Sequence, residues 1–473
     1  MSDTRTWRVR AGIVEAVTSG ERFEPTQCVA FRSRGWQHNE ATGLVECFYA
    51  LHFASGETIE LTESYLFPTV NRTWGDPERV VLGRLLDHLC LVASLSYYKL
   101  AAPPKVVVEH GRWSDADLAY HRGLLSNGLG EFCWENNLPL LDPEWTMPEN
   151  GSGDGEIGIP VPLDLRNGPL VPVGGGKDSC VSIEAMRSAG FTPTLVTVRR
   201  FPVIQDVIDA AALPDVAVSR VLDPSLGTLV ERGALNGHVP VTAIVTWASL
   251  VAALVGGHDA VVLSNERSAS AGNVVYRGVE INHQWSKSAE AETLLSAALA
   301  RITPSLRAFS LLRAMSELSI ARRFATTGHR YFSTFSSCNG AFRIDPARRV
   351  DRWDGTCAKC QFVFLALATV LNRSEVELIW GVDVFSVSPF VGFEALLGLT
   401  DWKPFECVGE SSECRVALAI LSKRSDWATH SVIRSLIELV KSAGLWPTAH
   451  DEAHFFSLDP ISFPVPYDRV KLS

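Results

Sequence analysis

Three consecutive glycines between an apolar strand and an apolar helix constrain this chain more than anything else in it. The stretch reads Val171-Pro-Val-Gly174-Gly175-Gly176-Lys177-Asp178-Ser179. Removing every Cβ from the turn lets backbone N–H groups approach an anion closely and point at it together. Ser179 opens the apolar run Cys180-Val181-Ser182-Ile183-Glu184-Ala185-Met186, so the turn delivers a bound anion to a helix N-terminus. Lys177 adds a positive charge, and Asp178 is placed to hold a phosphate-bound magnesium ion. The P-loop of kinases and GTPases is excluded, because four residues do not separate the glycines and Asp178 interrupts the Lys-Ser pair. A plain strand–turn–helix corner is the competing reading, but it gives no reason for three glycines followed by Lys-Asp-Ser.

At 473 residues the chain exceeds what one hydrophobic core supports, and two or three domains are expected. Its 53 acidic side chains outnumber 43 basic ones, which disfavours a general nucleic-acid-binding surface. One region runs the other way: between Arg301 and Cys360 there are ten Arg and one Lys against four acids. Solvated helix faces would explain this, as would a channel for a polyanionic small molecule, to which the two-pronged guanidinium is suited. Met1 to Val14 lacks an apolar core of signal-peptide length. The longest apolar run, Thr242 to Val255, is too short to span a bilayer and is interrupted by Thr246 and Ser249. A cytoplasmic location without membrane association is therefore expected, and the ten cysteines read as thiols or metal ligands rather than disulfides.

Two grammars divide the chain. Residues 1–150 alternate β-type runs, Cys28–Phe31 and Leu44–Phe53, with helical patterns over Glu78–Leu100 and Asp115–Asn136, as an N-terminal α+β module would. Glu149-Asn-Gly-Ser-Gly-Asp-Gly155 is a linker or loop by composition. Thereafter Leu170–Val173, Thr194–Val198, Asp215–Val218 and Ala260–Leu263 are short strands with helix-patterned segments between them, which predicts a parallel sheet. Ligands of such sheets bind beyond the carboxyl ends of the strands, so the glycine turn and Asn265-Glu266-Arg267-Ser268 belong to one rim. Beyond Glu290 the chain reads as mostly helical. The division expected is an N-terminal module at 1–150, an α/β nucleotide domain at 166–400 carrying a cysteine-bearing insertion, and a helical extension at 401–473.

Cys357-Ala-Lys-Cys360 places two thiolates at the corner of a turn, and Cys338 supplies a third. Structural zinc, sulfur-carrying or redox thiols, and ordinary buried cysteines all remain open. For a zinc ion the fourth ligand would come from His329, Asp345, Cys407 or Cys414. Two polar blocks complete the inventory, Ser264–Ala269 and Asn282–Ser288. Glu266 offers a carboxylate, and His283 and Lys287 two proton carriers. Arg267 offers an anion anchor and, with Asn282, a means of binding substrate. Glu266 or His283 is preferred as a base, because each needs a smaller pKa change than lysine to serve near neutrality. Lys287 is then a fixed cation, and Cys180, Cys407 and the acids of Glu406–Glu410 stand next in line.

The block Gly174–Ser179 resembles the phosphate loop of the ATP pyrophosphatase (PP-loop) superfamily, with Gly174 where that family usually has Ser. With Ser264–Ala269, Asn282–Ser288, Cys357–Phe364, Pro404–Glu410, Ser96–Lys99 and Gly128–Phe132, nearly the whole chain is similar to the UDP-N-acetylmuramoyl-L-alanyl-L-glutamate epimerase family. The resemblance implies a PP-loop, adenine nucleotide alpha hydrolase-like fold. It implies ATP with Mg2+, Gly174, Gly175, Gly176, Lys177, Asp178 and Ser179 as the nucleotide site, and a UDP-linked muramoyl dipeptide as substrate. The implied reaction inverts the terminal L-glutamate in peptidoglycan precursor synthesis and releases AMP and diphosphate. Two rivals stay open: another PP-loop enzyme, transferring sulfur to RNA or forming an amide or nitrile, and a non-catalytic nucleotide-binding protein.

Overall fold

In a computed structural model the described residues are 22–69, 74–148, 159–343 and 345–472. The linker expected at Glu149–Gly155 and the N-terminal stretch Met1–Val14 lie outside them. The chain is α/β, with one mostly parallel ten-stranded sheet and a helical C-terminal region. Its strands are β1 (Cys28–Asn39), β2 (Leu44–Phe53), β3 (Thr58–Leu66), β4 (Lys105–Val108), β5 (Glu144–Thr146), β6 (Pro169–Pro172), β7 (Thr194–Val198), β8 (Asp215–Val221) and β9 (Ala260–Leu263). A separate small hairpin pairs β10 (Val274–Tyr276) with β11 (Val279–Ile281), and β12 (Arg307–Ser310) closes the large sheet in the order β12-β9-β6-β7-β8-β3-β2-β1-β4-β5.

Strands β9, β6, β7 and β8 are mutually parallel, as the alternation of strand and helix patterns predicts, and β12 adds to them parallel to β9. The order reverses between β6 and β9, and the crevice beyond the carboxyl ends of such a pair is where ligands bind. The β1–β2 hairpin is antiparallel, and the turn residues Ala41-Thr42-Gly43 before β2 and Ser55-Gly56 after it are those such a strand expects. Strands β3, β4, β5 and β12 do not stand out in the sequence. β12 is four residues long, Arg-Ala-Phe-Ser, and lies in a stretch otherwise patterned for helices.

The two halves join where β3 pairs antiparallel with β8. Buried Glu63 accepts from Arg220 at 2.6 Å, and Arg220 also donates to Ser96 Oγ at 3.0 Å. The amide of Asp223 donates to the Tyr97 hydroxyl at 3.1 Å, and Lys99 donates to the Gly237 carbonyl at 2.8 Å. The Ser96–Lys99 motif is thus a seam between halves. Along the parallel strands alternate residues enter different cores: Leu170, Val196 and Val261 one, Val171, Leu195 and Val262 the other. The first core contains the N-terminal module and the helix Val241–Gly256. The second contains the helices Lys177–Ser188, Glu317–Thr327 and Ala358–Ala368. The run Asp76–Tyr98 is long and apolar enough to cross a membrane, but 78% of its apolar window is buried inside the protein. It is a core helix.

Candidate active site

Strand β6 ends in the glycine turn and the helix Lys177–Ser188 begins at Gly176, whose extended backbone caps it without a side chain. The first-turn N–H groups therefore keep their capacity for an anion. Gly175 has φ of +83°, the left-handed region that glycine alone adopts at little cost, and its carbonyl accepts from the amide of Ser336 at 2.8 Å. A Cβ on Gly176 would meet Ser337 Oγ at 3.3 Å. The segment before Cys338 thus lies against the turn.

Strand β9, the neighbour of β6, delivers Glu266 to the same cleft. Arg313 ties the rim together: it donates to the carbonyl of Glu266 at 2.8 Å, to that of Lys287 at 2.6 Å and to the Glu292 carboxylate at 2.7 Å. Glu317 enters at the start of the helix Glu317–Thr327, whose N-cap Ser316 accepts from Ser319. Carboxylate oxygens of Asp178, Glu266 and Glu317 lie within 4.8 Å of one another, a hard oxygen set suited to magnesium. Lys177 bonds to Asp178 at 2.5 Å and also to Glu317. Burial works against charge on Lys177, but Asp178 and Glu317 outweigh it and hold the ammonium above its ordinary pKa. Burial raises both Glu317 and Glu266, against the pull of Lys177 on the first and Lys287 on the second.

The cleft has a volume of about 370 Å³ and shares lining residues with an adjoining chamber of about 380 Å³. Lys287, Lys359 and Cys407 line both. In the second chamber Lys287 Nζ stands 3.2 Å from Cys407 Sγ. His283 Nδ1 bonds to Glu131, and the same carboxylate is 3.6 Å from His238. Burial opposes protonation of His283, yet its contacts with Cys407 and Glu131 lift it to about 9. Burial also opposes ionisation of Cys407, but Lys287, Lys359 and His283 bring its pKa well below that of an ordinary thiol. His238 is pushed down to about 3 by burial and by the charge on His283. A bare glycine turn at a helix N-terminus, a carboxylate triad and a cation-rich chamber with titratable side chains therefore share one wall.

Residues 22–311 match the MurL N-terminal domain, and residues 334–451 the MurL C-terminal domain. The chain belongs to the MurL family. It is 40% identical over 449 residues to a protein of Micromonospora sp., covering 93% of this chain and 97% of that one. A Salinispora tropica protein is also 40% identical, over 446 residues, with 93% and 94% covered. One from Xanthomonas oryzae pv. oryzae is 38% identical over 426 residues, with 88% and 90% covered. All three are named UDP-N-acetyl-alpha-D-muramoyl-L-alanyl-L-glutamate epimerase.

In this MurL chain the cleft gathers Gly174, Gly176, Lys177, Asp178, Ser179, Glu266 and Lys287, and His283 lines the adjoining chamber. Two residues expected to bind substrate lie elsewhere. Arg267 pairs with Asp459 at 3.0 Å and packs over Phe455, which ties the β9 loop to the C-terminal segment. Asn282 donates to the Ala269 carbonyl and accepts from the Gln284 amide, so it shapes the backbone before Lys287. Most of the arginine surplus is engaged away from both chambers: Arg307 pairs with Asp259, Arg330 with Glu184, and Arg322 covers Phe456. Glu131, His238, Arg313, Glu317 and Lys359 have no role that sequence reasoning assigns. Gly128–Phe132 is a motif without a partner until the fold brings Glu131 to His283.

The cysteine cluster also acquires its fourth member here. Ligand atoms of Cys338, Asp354, Cys357 and Cys360 lie within 4.8 Å of one another. The expected fourth ligands are placed otherwise: Cys407 faces Lys287, Cys414 is buried in the helix Ser411–Lys423, His329 stacks near Phe332, and Asp345 caps the turn Pro346–Arg348. Asp354 wins because its carboxylate accepts from the amides of Thr356 and Cys357, at 2.8 and 3.0 Å, and so is fixed at the start of the Cys-x-x-Cys turn. Cys338 Sγ and Cys357 Sγ are 3.9 Å apart. Two thiolates on a tetrahedral zinc, with Zn–S near 2.3 Å, would stand about 3.8 Å apart. Amides of Asp354 and Cys360 point at the sulfurs of Cys338 and Cys357. Lys359, between two of the candidate ligands, reaches the wall common to both chambers.

Proposed function

We propose that this chain is an ATP-consuming epimerase that inverts the terminal L-glutamate of a UDP-N-acetylmuramoyl-L-alanyl-L-glutamate substrate. The observation that carries the reading is the pair of adjoining chambers, one with the features of an ATP phosphate site and the other with paired acids and bases. The α-hydrogen of a free carboxylate is hard to remove, because the carbanion would sit beside an existing negative charge. Attack of the glutamate carboxylate on the α-phosphorus of ATP, with loss of diphosphate, yields a mixed anhydride that cancels that charge and creates an electron sink. A base then removes the α-proton while Lys287 or Lys359 neutralises the developing enolate oxygen. Reprotonation on the opposite face and hydrolysis of the anhydride give the D-glutamyl product and AMP. ATP cleavage supplies direction, since an uncoupled epimerase reaches only an equilibrium mixture.

In this reading the α/β half is a PP-loop domain, with Gly174–Ser179 as its phosphate cradle. Asp178, Glu266 and Glu317 would hold Mg2+, whose charge neutralises phosphate oxygens. Cys338, Asp354, Cys357 and Cys360 would hold a structural zinc ion that fixes the segment over the glycine turn and the base of Lys359. The test is incubation with ATP, Mg2+ and the UDP-muramoyl dipeptide in deuterated water. AMP and diphosphate should appear in equal amounts with D-glutamate deuterated at its α-carbon. AMP release that does not depend on the dipeptide, with the glutamate still L, would refute the reading.

A further inference from the structure

We infer that Cys407 is the catalytic residue that takes the α-proton from the activated glutamyl group. The inference deepens the epimerase reading and rests on it. Cys407 lines both chambers, at the wall where an activated carboxyl and its α-carbon would meet. Its sulfur is 3.2 Å from Lys287 Nζ and feels the charges of Lys359 and His283. Three cations facing one sulfur serve no packing purpose. They favour a thiolate, which is the form that accepts a proton. The other groups with the chemistry of a base here are engaged or weakly basic: Glu406 accepts from Asn339, and His238 is held down to about 3 by burial and by the charge on His283. Glu131 holds His283, Glu266 belongs to the carboxylate triad, and His283 is held protonated between Glu131 and Cys407.

Exposure separates this cysteine from the others. Eight of the ten are buried, and besides Cys407 only Cys357, one of the zinc-site thiols, is partly exposed. The step balances without an external redox partner. The thiolate lone pair forms S–H as Cα–H breaks, and the bonding pair moves into the carbonyl of the mixed anhydride. Water on the opposite face returns a proton to carbon, and the hydroxide left behind takes the thiol proton, which restores thiolate and water. His283 and Lys287 hold the sulfur ionised before and after.

Three measurements test this. First, Cys407→Ser should lower α-carbon deuterium incorporation by about 10²–10⁴-fold, the usual contribution of a positioned acid–base group. Dipeptide-dependent exchange of labelled diphosphate into ATP should fall far less. Second, iodoacetamide should inactivate the folded parent enzyme at Cys407, with a pH midpoint below the ordinary thiol value of about 8.5, and the dipeptide should protect. The groups that set this midpoint are Lys287, Lys359 and His283, with Glu266 and Glu406 opposing. Third, hydroxylamine should release no glutamyl hydroxamate from Cys407. Parental deuterium exchange in the serine variant, or a thioester captured on Cys407, would overturn the assignment while leaving the epimerase reading intact. A parent enzyme with no dipeptide-dependent diphosphate exchange would instead bring down the epimerase reading, and this assignment with it.

Discussion

Replacing Glu413 by Gln should stabilise the protein, and by an amount that grows with pH. Glu413 is fully buried in the helix Ser411–Lys423. One of its oxygens accepts from the Leu318 amide at 2.8 Å, and the other has no hydrogen-bond partner. Burial raises its pKa to about 7, only partly offset by the Leu318 amide. An unfolded glutamate titrates near 4.3, so the gap amounts to roughly 4 kcal/mol at about 1.36 kcal/mol for each pH unit. A carboxyl whose folded pKa is raised favours folding below about pH 4.3 and loses that contribution as pH rises towards 7. Glutamine keeps an acceptor for Leu318 and carries no charge in either state. The variant should therefore be about 1 kcal/mol more stable than the parent at pH 5 and roughly 4 kcal/mol more stable at pH 8. Water reaching the site would reduce the larger figure. Urea unfolding of both proteins at pH 5, 6, 7 and 8 reads the difference. A gap that stays flat with pH, or a variant weakened by the 3–5 kcal/mol that breaking a buried ion pair costs, would show that Glu413 is a paired structural carboxylate.

Lys177→Ala should reduce AMP formation at limiting ATP by roughly 10²-fold, as loss of a preorganised charge at a phosphate site does. Equal AMP formation by variant and parent would move the nucleotide site elsewhere. Freshly purified protein should contain one zinc per chain by elemental analysis. Asp354→Ala and Cys360→Ser should each lower that content and cost on the order of 3–5 kcal/mol, less than the ~10–16 kcal/mol that zinc supplies to small domains, because a large apolar core holds the rest. Full metal retention in both variants would exclude the proposed ligand set.

The parts of the site that were legible in the sequence are those whose chemistry is local. The glycine turn announces itself because strand, bare turn and helix follow one another, and a parallel sheet then fixes β9 as the strand whose loop shares its rim. Cys357 and Cys360 are legible for the same reason, since four residues suffice to present two thiols to one ion. The parts that could not be read are assembled across the fold. Glu131 comes from the N-terminal module and meets His283 through a seam built by Ser96–Lys99 and Arg220. Asp354 looks like any loop acid until two amides turn its carboxylate towards the thiols. Arg267, expected as an anion anchor beside the sheet rim, pairs with Asp459, 192 residues further along the chain, a contact that sequence position does not disclose.

Cys407 shows why a site of this kind needs two distant sequence blocks at once. Alone in Pro404–Glu410 it is a small apolar residue, and its expected pKa gives it little reason to ionise at neutral pH. Lys287 alone is a half-buried cation that desolvation should discharge. Placed 3.2 Å apart, each answers the other's penalty: burial opposes both charges, and the pair holds lysine protonated and cysteine ionised. The Cys-x-x-Cys turn contributes to the same balance, since Lys359 is spaced between Cys357 and Cys360 and its charge is second only to that of Lys287 in lowering the thiol. Loss of the metal should therefore reach the chemistry through Cys407. A Cys360→Ser protein that still folds should show its iodoacetamide midpoint displaced upward towards the ordinary thiol value, before any change in ATP affinity. An unchanged midpoint would mean that Lys359 keeps its place without the metal, and that the zinc cluster and the acid–base chamber are independent.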